Sequence, residues 1–153
     1  MEPEKPAKLR LFVDADILFA GAASPNEHSA SNLILRMGEL TLIEAITSTQ
    51  VITEVERSLL DKMPAALPAF RLLVNRSLKV VEDPDPTELI DHVGLADPDD
   101  LPILVAAIRG ECSLLATFNL RHYQPGSPAV EVLKPGDLVL RIRYLLARLS
   151  DRP

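Results

Sequence analysis

Short unbroken apolar runs recur along this chain and predict buried strands over residues 9–13, 42–47, 78–81, 113–117 and 129–133. Between them the apolar positions fall into helical spacing. A first helix is predicted over 17–23. A second is capped by Ser29, carries Leu33, Ile34 and Met37 on one face, and is closed by Gly38. A third opens at Thr49 and reaches about Met63, and Pro64 and Pro68 set off a fourth over 69–75. A short helix follows around 88–92. Residues 101–108 are nearly all apolar, so that helix is expected to be buried, and Asp97-Pro98-Asp99-Asp100 reads as its start, with Asp as cap and proline first. Pro135 opens a last helix to about Leu149. Strands that alternate with helices predict an α/β fold: a three-layer α/β/α sandwich with a mainly parallel sheet of four to five strands. The pattern predicts a single domain over 9–149, with a short polar lead-in over 1–8 and a tail over 150–153.

Composition adds little to that picture and removes several alternatives. A domain of 153 residues buries roughly 70% of its unfolded surface and needs no staple. The single cysteine, Cys112, sits in an apolar run and reads as a core residue; it allows no intrachain disulfide, which suits a reducing compartment. No apolar run reaches the about 18 residues of a membrane span, and the first ten residues lack a signal-peptide core, so the cytoplasm is the expected location. The net charge of −6 argues against a general nucleic-acid binder. It leaves room for a nuclease, because a bound divalent cation reverses the local field. With aromatics at 4%, a platform of base-stacking rings is not expected.

In an open parallel sheet, ligands bind beyond the carboxyl ends of the strands. Asp14 ends the first predicted strand abruptly, and Asp16 follows. Glu54 and Glu56 lie in the helix after the second strand, and periodicity does not choose between them. Asp97, Asp99 and Asp100 precede the fourth strand, and Thr117, Asn119 and His122 follow it. At helical spacing Asp100 shares a face with Ile103, Leu104 and Ala107, where a carboxylate needs a partner or a metal. No lysine or arginine lies near these acids in sequence. A hard cation with oxygen ligands, Mg²⁺ or Mn²⁺, would relieve their repulsion. On repulsion alone, Asp14→Asn is expected to leave the metal-free protein as stable or more so.

Four segments, in order, resemble the PIN-domain family, especially the VapC-like toxin ribonucleases and their relatives. FVDADIL resembles the first strand with its catalytic aspartate, and ITEVERSL the helix whose acid corresponds to Glu54. ADPDDLPILVAAI is similar to the family's DPDD-type helix start, with Asp100 as its main acid. LLATFNLRHY is similar to its threonine-x-asparagine strand end. The resemblance runs from about Leu11 to Asp137. It implies a metal-dependent ribonuclease using Mg²⁺ or Mn²⁺, with Asp14, Glu54 and Asp100 as catalytic carboxylates. The implied metal ligands are Asp14 and Asp100, with Glu54, Asp97 and Asp99 as further candidates. Thr117, Asn119, Arg121 and His122, with Asp16 and Ser29 as further candidates, are the implied contacts to RNA. The resemblance also implies frequent homodimers and, for toxin members, an antitoxin partner. Asn119 and His122 stand where many relatives carry another aspartate, so the fourth carboxylate is missing or supplied by Asp97 or Asp99, and one metal or two are both open.

Two alternatives remain at this level. A phosphatase of the haloacid dehalogenase type would use Asp14 as nucleophile and Asp16 as acid, but its acidic motif should follow Thr117, and here the acids precede it. A PIN-like interaction module that has lost catalysis is the non-enzymatic alternative, favoured by Asn119 and His122.

Overall fold

A computed structural model describes residues 8–24, 26 and 29–149. Residues 1–7 of the expected lead-in and the tail over 150–153 lie outside the described residues. The chain alternates strands and helices: β1 (Arg10–Val13), α1 (Ala15–Ala23), α2 (Ala30–Glu39), β2 (Glu44–Ser48), α3 (Thr49–Lys62), α4 (Leu67–Ser77), β3 (Lys79–Val81), α5 (Pro86–Leu89), α6 (Leu101–Arg109), β4 (Leu114–Ala116), β5 (Glu131–Leu133) and α7 (Pro135–Leu149). Short 3₁₀ turns at Pro64–Ala66, Ile90–His92 and Leu120–Tyr123 complete it.

The five strands form one wholly parallel sheet in the order β3-β2-β1-β4-β5. The chain builds outward from β1 through β2 to β3, then returns to the other side of β1 for β4 and β5. That reversal puts a topological switch point between β1 and β4, the usual ligand crevice of such sheets. Helices cover both faces, as the three-layer reading expected. β1 shows why: Leu11, Phe12 and Val13 are all 0% exposed, so both sides of the strand are packed. Each such side chain contributes about 1.5–3 kcal/mol of burial energy. Helix α6 lies against β2 and β4 and buries Ile103, Leu104, Ala106 and Ala107.

Three local expectations shift. Gly38 does not close α2, which continues to Glu39 and ends at Leu40. Its role is spatial: a Cβ there would lie 2.6 Å from the Ser77 carbonyl oxygen and 3.1 Å from the Ala45 Cβ. β2 begins at Glu44 rather than at 42, because Thr41, with φ of 63°, and Leu42 still belong to the turn bonded back to Gly38 and Met37. The DPDD segment forms a turn ahead of α6 rather than its first turn. Asp100 is the N-cap, and Pro102, not Pro98, sits inside the helix start. The Asp97 carbonyl accepts from the backbone N–H of Asp100 and Leu101, but Pro102 has no N–H to continue the ladder.

Helix α7 divides its apolar residues. Leu138 and Ile142 are buried, while Leu140, Tyr144, Leu145 and Leu149 are exposed. No helix among the described residues is long and apolar enough to cross a membrane.

Candidate active site

The crevice between β1 and β4 is lined by Asp14 at the end of one strand and Thr117 just past the other. Asp14 belongs to two elements. Its backbone N–H donates to the Ala116 carbonyl on β4, and its carbonyl accepts from Leu18 in α1. The side chain then caps α1: Oδ1 accepts from the Ala15 N–H at 2.7 Å. Oδ2 accepts from the Thr117 hydroxyl at 2.9 Å and the Tyr123 hydroxyl at 2.8 Å. The residue is 7% exposed, so this is a carboxylate held at a fixed orientation in a nearly dry place.

Asp16 leans on the same group. Its Oδ2 accepts from the Thr117 hydroxyl at 3.2 Å, the Phe118 N–H at 2.9 Å and the Asn119 side-chain amide at 3.3 Å. Thr117 also accepts the Asn119 N–H at 3.1 Å. One hydroxyl proton is therefore asked to serve two carboxylates, and donors run short. Asp16 Oδ1 is buried with no partner among the described residues. Burial, then the neighbouring Asp14 charge, pushes Asp16 above its ordinary carboxylate range. Tyr123 is 2% exposed. Its phenol is raised by burial and then by the Asp14 charge, so it stays protonated and keeps donating.

The rim is built from the loop before α6 and the turn after β4. Asp97, Asp100 and His122 each offer a ligand atom, all within 4.8 Å of one another. His122 Nδ1 lies 3.1 Å from Asp100 Oδ2. The His122 carbonyl accepts the Asp97 N–H at 2.8 Å, which ties the two segments together. Burial, then Asp14, then Glu54 and Asp97, raises Asp100 to about 6 against the opposing pull of His122. Those same influences show that Asp14, Glu54, Asp97 and Asp100 share one field. Gln50 joins α3 to the rim: its side-chain amide donates to Glu54 Oε1 at 3.4 Å and to the Asp99 carbonyl at 3.2 Å. The Asp83 carboxylate accepts the Gln50 N–H at 2.8 Å and orients that end of α3.

A hard divalent cation suits this donor set. Asp97 and Asp100 from the loop before α6 meet the His122 imidazole from the turn after β4, and deeper in the crevice a buried Asp16 oxygen has no donor among the described residues. Asp97, Asp100 and His122 could hold such an ion.

A PIN domain family model matches residues 10–121. The chain belongs to the PIN-domain family. The fold also matches a chain in the crystal structure of VapBC2 from Rickettsia felis bound to a DNA fragment from their promoter. That likeness has 16% identity and a TM-score of 0.60, covering 82% of this chain and 98% of that one. No curated protein matches the chain. Membership sets aside the haloacid dehalogenase alternative.

In this PIN domain the sequence-predicted residues separate into groups. Hydrogen bonds link Asp14, Asp16, Thr117 and Asn119; Asp97, Asp100 and His122 form the rim; Asp14 and Glu54 act on Asp100 through charge and do not join that rim cluster at ligand distance. Asp99 is exposed and contributes its backbone carbonyl to Gln50. Glu56 pairs with Arg71 at 3.5 Å instead. Arg121 is exposed beside the rim. Ser29 caps α2 by accepting the Asn32 N–H at 3.2 Å and lines a separate cavity. Lysine is not absent in space: Lys62 lines a 250 Å³ cleft with Asp16 and Glu54, its ammonium 5.6 Å from the Phe19 ring centre.

Sequence reasoning missed Tyr123 and Gln50. Tyr123 carried one usable signal. In a 3₁₀ turn, residues three apart share a face, which places Tyr123 with Leu120 and away from the polar Arg121 and His122.

Proposed function

We propose that this PIN domain is a Mg²⁺- or Mn²⁺-dependent endoribonuclease, the toxin of a toxin–antitoxin pair. The observation that carries the reading is the meeting at the β1–β4 switch point of Asp14 and Asp16 with a buried, unpaired carboxylate oxygen, faced by Asp100 from the rim. Bound there, the ion would polarise a phosphate oxygen and supply a water of lowered pKa. The chain's own part is positional. Asp14, Asp100 and Glu54 are the proposed catalytic carboxylates. Asp14 and Asp100, with Asp97, and with His122 from the geometry, are the proposed ligands; Asp99 adds its side chain only as a remoter candidate. Thr117 and Asn119 orient groups against Asp14 and Asp16, and Tyr123 keeps one Asp14 oxygen fixed. Arg121 is placed to meet the RNA backbone.

The VapBC2 likeness supports an antitoxin as the protein partner, and the exposed apolar side of α7 supports a second copy of the chain. One observation favours the catalytically silent module: Asn119 donates to Asp16 where a further carboxylate would add charge. Cleavage of single-stranded RNA under Mg²⁺ or Mn²⁺ decides. The wild type should cut, and Asp14→Asn, Glu54→Gln and Asp100→Asn should each fall at least ~100-fold, as when electrostatic stabilisation of a transition state is lost. Wild-type-like cutting by the Asp14 and Asp100 variants would end the nuclease reading, and no cutting by any form would leave the silent module.

A further inference from the structure

The start of α3 carries a buried hydroxyl that its own helix does not use. Ser48 ends β2 and stands at the N-cap of α3, where a serine side chain normally accepts a backbone N–H of the first turn. Here it makes no cap bond. Asp83, from the loop after β3, takes the Gln50 N–H at 2.8 Å instead. The neighbouring Thr49 hydroxyl turns away to the Val81 carbonyl at 3.4 Å. Ser48 is 1% exposed, and its Oγ has no hydrogen-bond partner among the described residues. A buried hydroxyl in that condition costs free energy until a partner meets it.

The sheet register fixes its neighbours. β1 pairs Phe12 with Ile46 on β2 and Val13 with Ala116 on β4. Carried on to Asp14, the register sets that residue between Ser48 and Thr117. Side chains level with one another on parallel strands point to the same face. The bond from the Thr117 hydroxyl to Asp14 Oδ2 at 2.9 Å marks that face on the β4 side. Ser48 is the counterpart on the β2 side. The rim is close as well. Gln50, two residues on, donates to the Asp99 carbonyl at 3.2 Å, and α6, which Asp100 caps, packs against β2.

Asp14 has acceptor capacity to spare. Oδ2 takes two hydroxyls, but Oδ1 takes only the Ala15 N–H, and a carboxylate oxygen accepts two such bonds. That remaining position suits a cation. The Ser48 oxygen, about 4.8 Å away by strand spacing, is then an acceptor beside it, too buried for RNA to reach but open to something the size of a water. Mg²⁺ and Mn²⁺ sites keep several waters, each with two hydrogens to donate.

We infer that Ser48 is a positioning residue of this site, its hydroxyl oxygen accepting a hydrogen bond from a water carried by the cation that Asp14 holds. The inference rests on the metal-dependent reading and names a residue behind the ligands.

The test reads the ion directly, without RNA. Mn²⁺ is titrated into the purified protein by calorimetry at fixed pH. The wild type should bind, and Ser48→Ala should bind about tenfold more weakly, as when a group supporting the ligands is removed. Ser48→Thr keeps the hydroxyl and should hold wild-type affinity. Asp14→Asn should bind far more weakly than either, which ties the measured ion to this site. Thermal melting supplies the readout that a merely structural role would move. Without metal, Ser48→Ala should melt at or above the wild-type temperature, because the hydroxyl it removes has no partner to lose. With Mn²⁺ its melting temperature should rise by less than that of the wild type. Equal Mn²⁺ affinities for Ser48→Ala and the wild type overturn the inference and leave the metal site standing. A lower metal-free melting temperature with affinity intact assigns Ser48 to the helix cap and also overturns it. No Mn²⁺ binding by the wild type is a different result, and it sinks the metal-dependent reading itself.

Discussion

Asp14 is 7% exposed and accepts three hydrogen bonds, from Ala15, Thr117 and Tyr123. Across the same crevice, Asp97 and Glu54 are exposed and Asp100 is pushed to about 6 by burial and the charges around it. The inner half of the site is ordered by donors from β4 and the turn after it. The rim is ordered by backbone ties and one histidine, with its charges left in mutual repulsion. Two regions of like composition thus meet the same electrostatic problem differently: the inner one mainly with hydrogen bonds, although Asp16 is raised there too, and the outer one with exposure and a raised Asp100. The first should respond to mutation through stability, the second through pH and cations.

The largest expected contrast separates Asp14 from Asp100. Both amide variants should lose at least ~100-fold in cleavage, but their metal-free stabilities should part. Asp14→Asn presents an NH₂ to the Thr117 and Tyr123 hydroxyls and should cost about 1–3 kcal/mol. That reverses the sign expected from charge repulsion alone. Asp100→Asn removes a strained charge and should hold or raise the melting temperature. Equal melting shifts in urea or heat would erase the distinction between the halves.

Tyr123→Phe is the next largest. It keeps the ring in the core and removes one donor from Asp14. It should cost about 1 kcal/mol in denaturant melts and slow cleavage by roughly tenfold, as a loosened carboxylate loses its orientation. An unchanged cleavage rate would show that Thr117 alone positions Asp14.

The pH dependence is smaller and is read at Asp100 on the rim, beside a contribution in the same direction from Asp16. Asp100 has a folded pKa raised to about 6 from 3.8. Between those values the folded state holds a proton there that the unfolded state has released. Metal-free stability should therefore decline as pH rises from 4 to 6 at this group, and Asp100→Asn should flatten that segment. Mn²⁺ affinity measured by calorimetry should run the other way, weakening below pH 6 as protons compete for the ligand. The smallest effect is the control: Glu56→Gln loses only an exposed pair with Arg71. It should change stability by less than about 1 kcal/mol and leave cleavage unaltered.

The layered fold was legible because β1 and α6 are apolar almost without interruption, and a polar residue at Asp14 marked where the strand stops. The acids could be named individually for the same reason. Their partners could not. Thr117 reaches Asp14 across 103 residues and Tyr123 across 109, distances over which no local pattern carries information. Gln50 links Glu54 to Asp99 only because α3 and the loop before α6 meet at the sheet edge. Gly38 looked like a helix stop because glycine usually is one; the carbonyl of Ser77 that excludes a Cβ lies on a different helix. The DPDD turn was displaced by a single missing N–H at Pro102.

The central place of β1 in the sheet also sets a timetable. Its two neighbours, β2 and β4, arrive in the order of synthesis, and parallel pairings between distant segments form slowly. A growing chain that ends at β3 already contains Asp14, Asp16 and Glu54, yet β1 still has an open edge and Asp14 has neither hydroxyl donor. The acids become a site only when β4 slots in beside β1 and the turn carrying Tyr123 follows. For a protein whose proposed substrate is RNA, the proposed catalytic carboxylates would therefore come together only in a nearly complete chain.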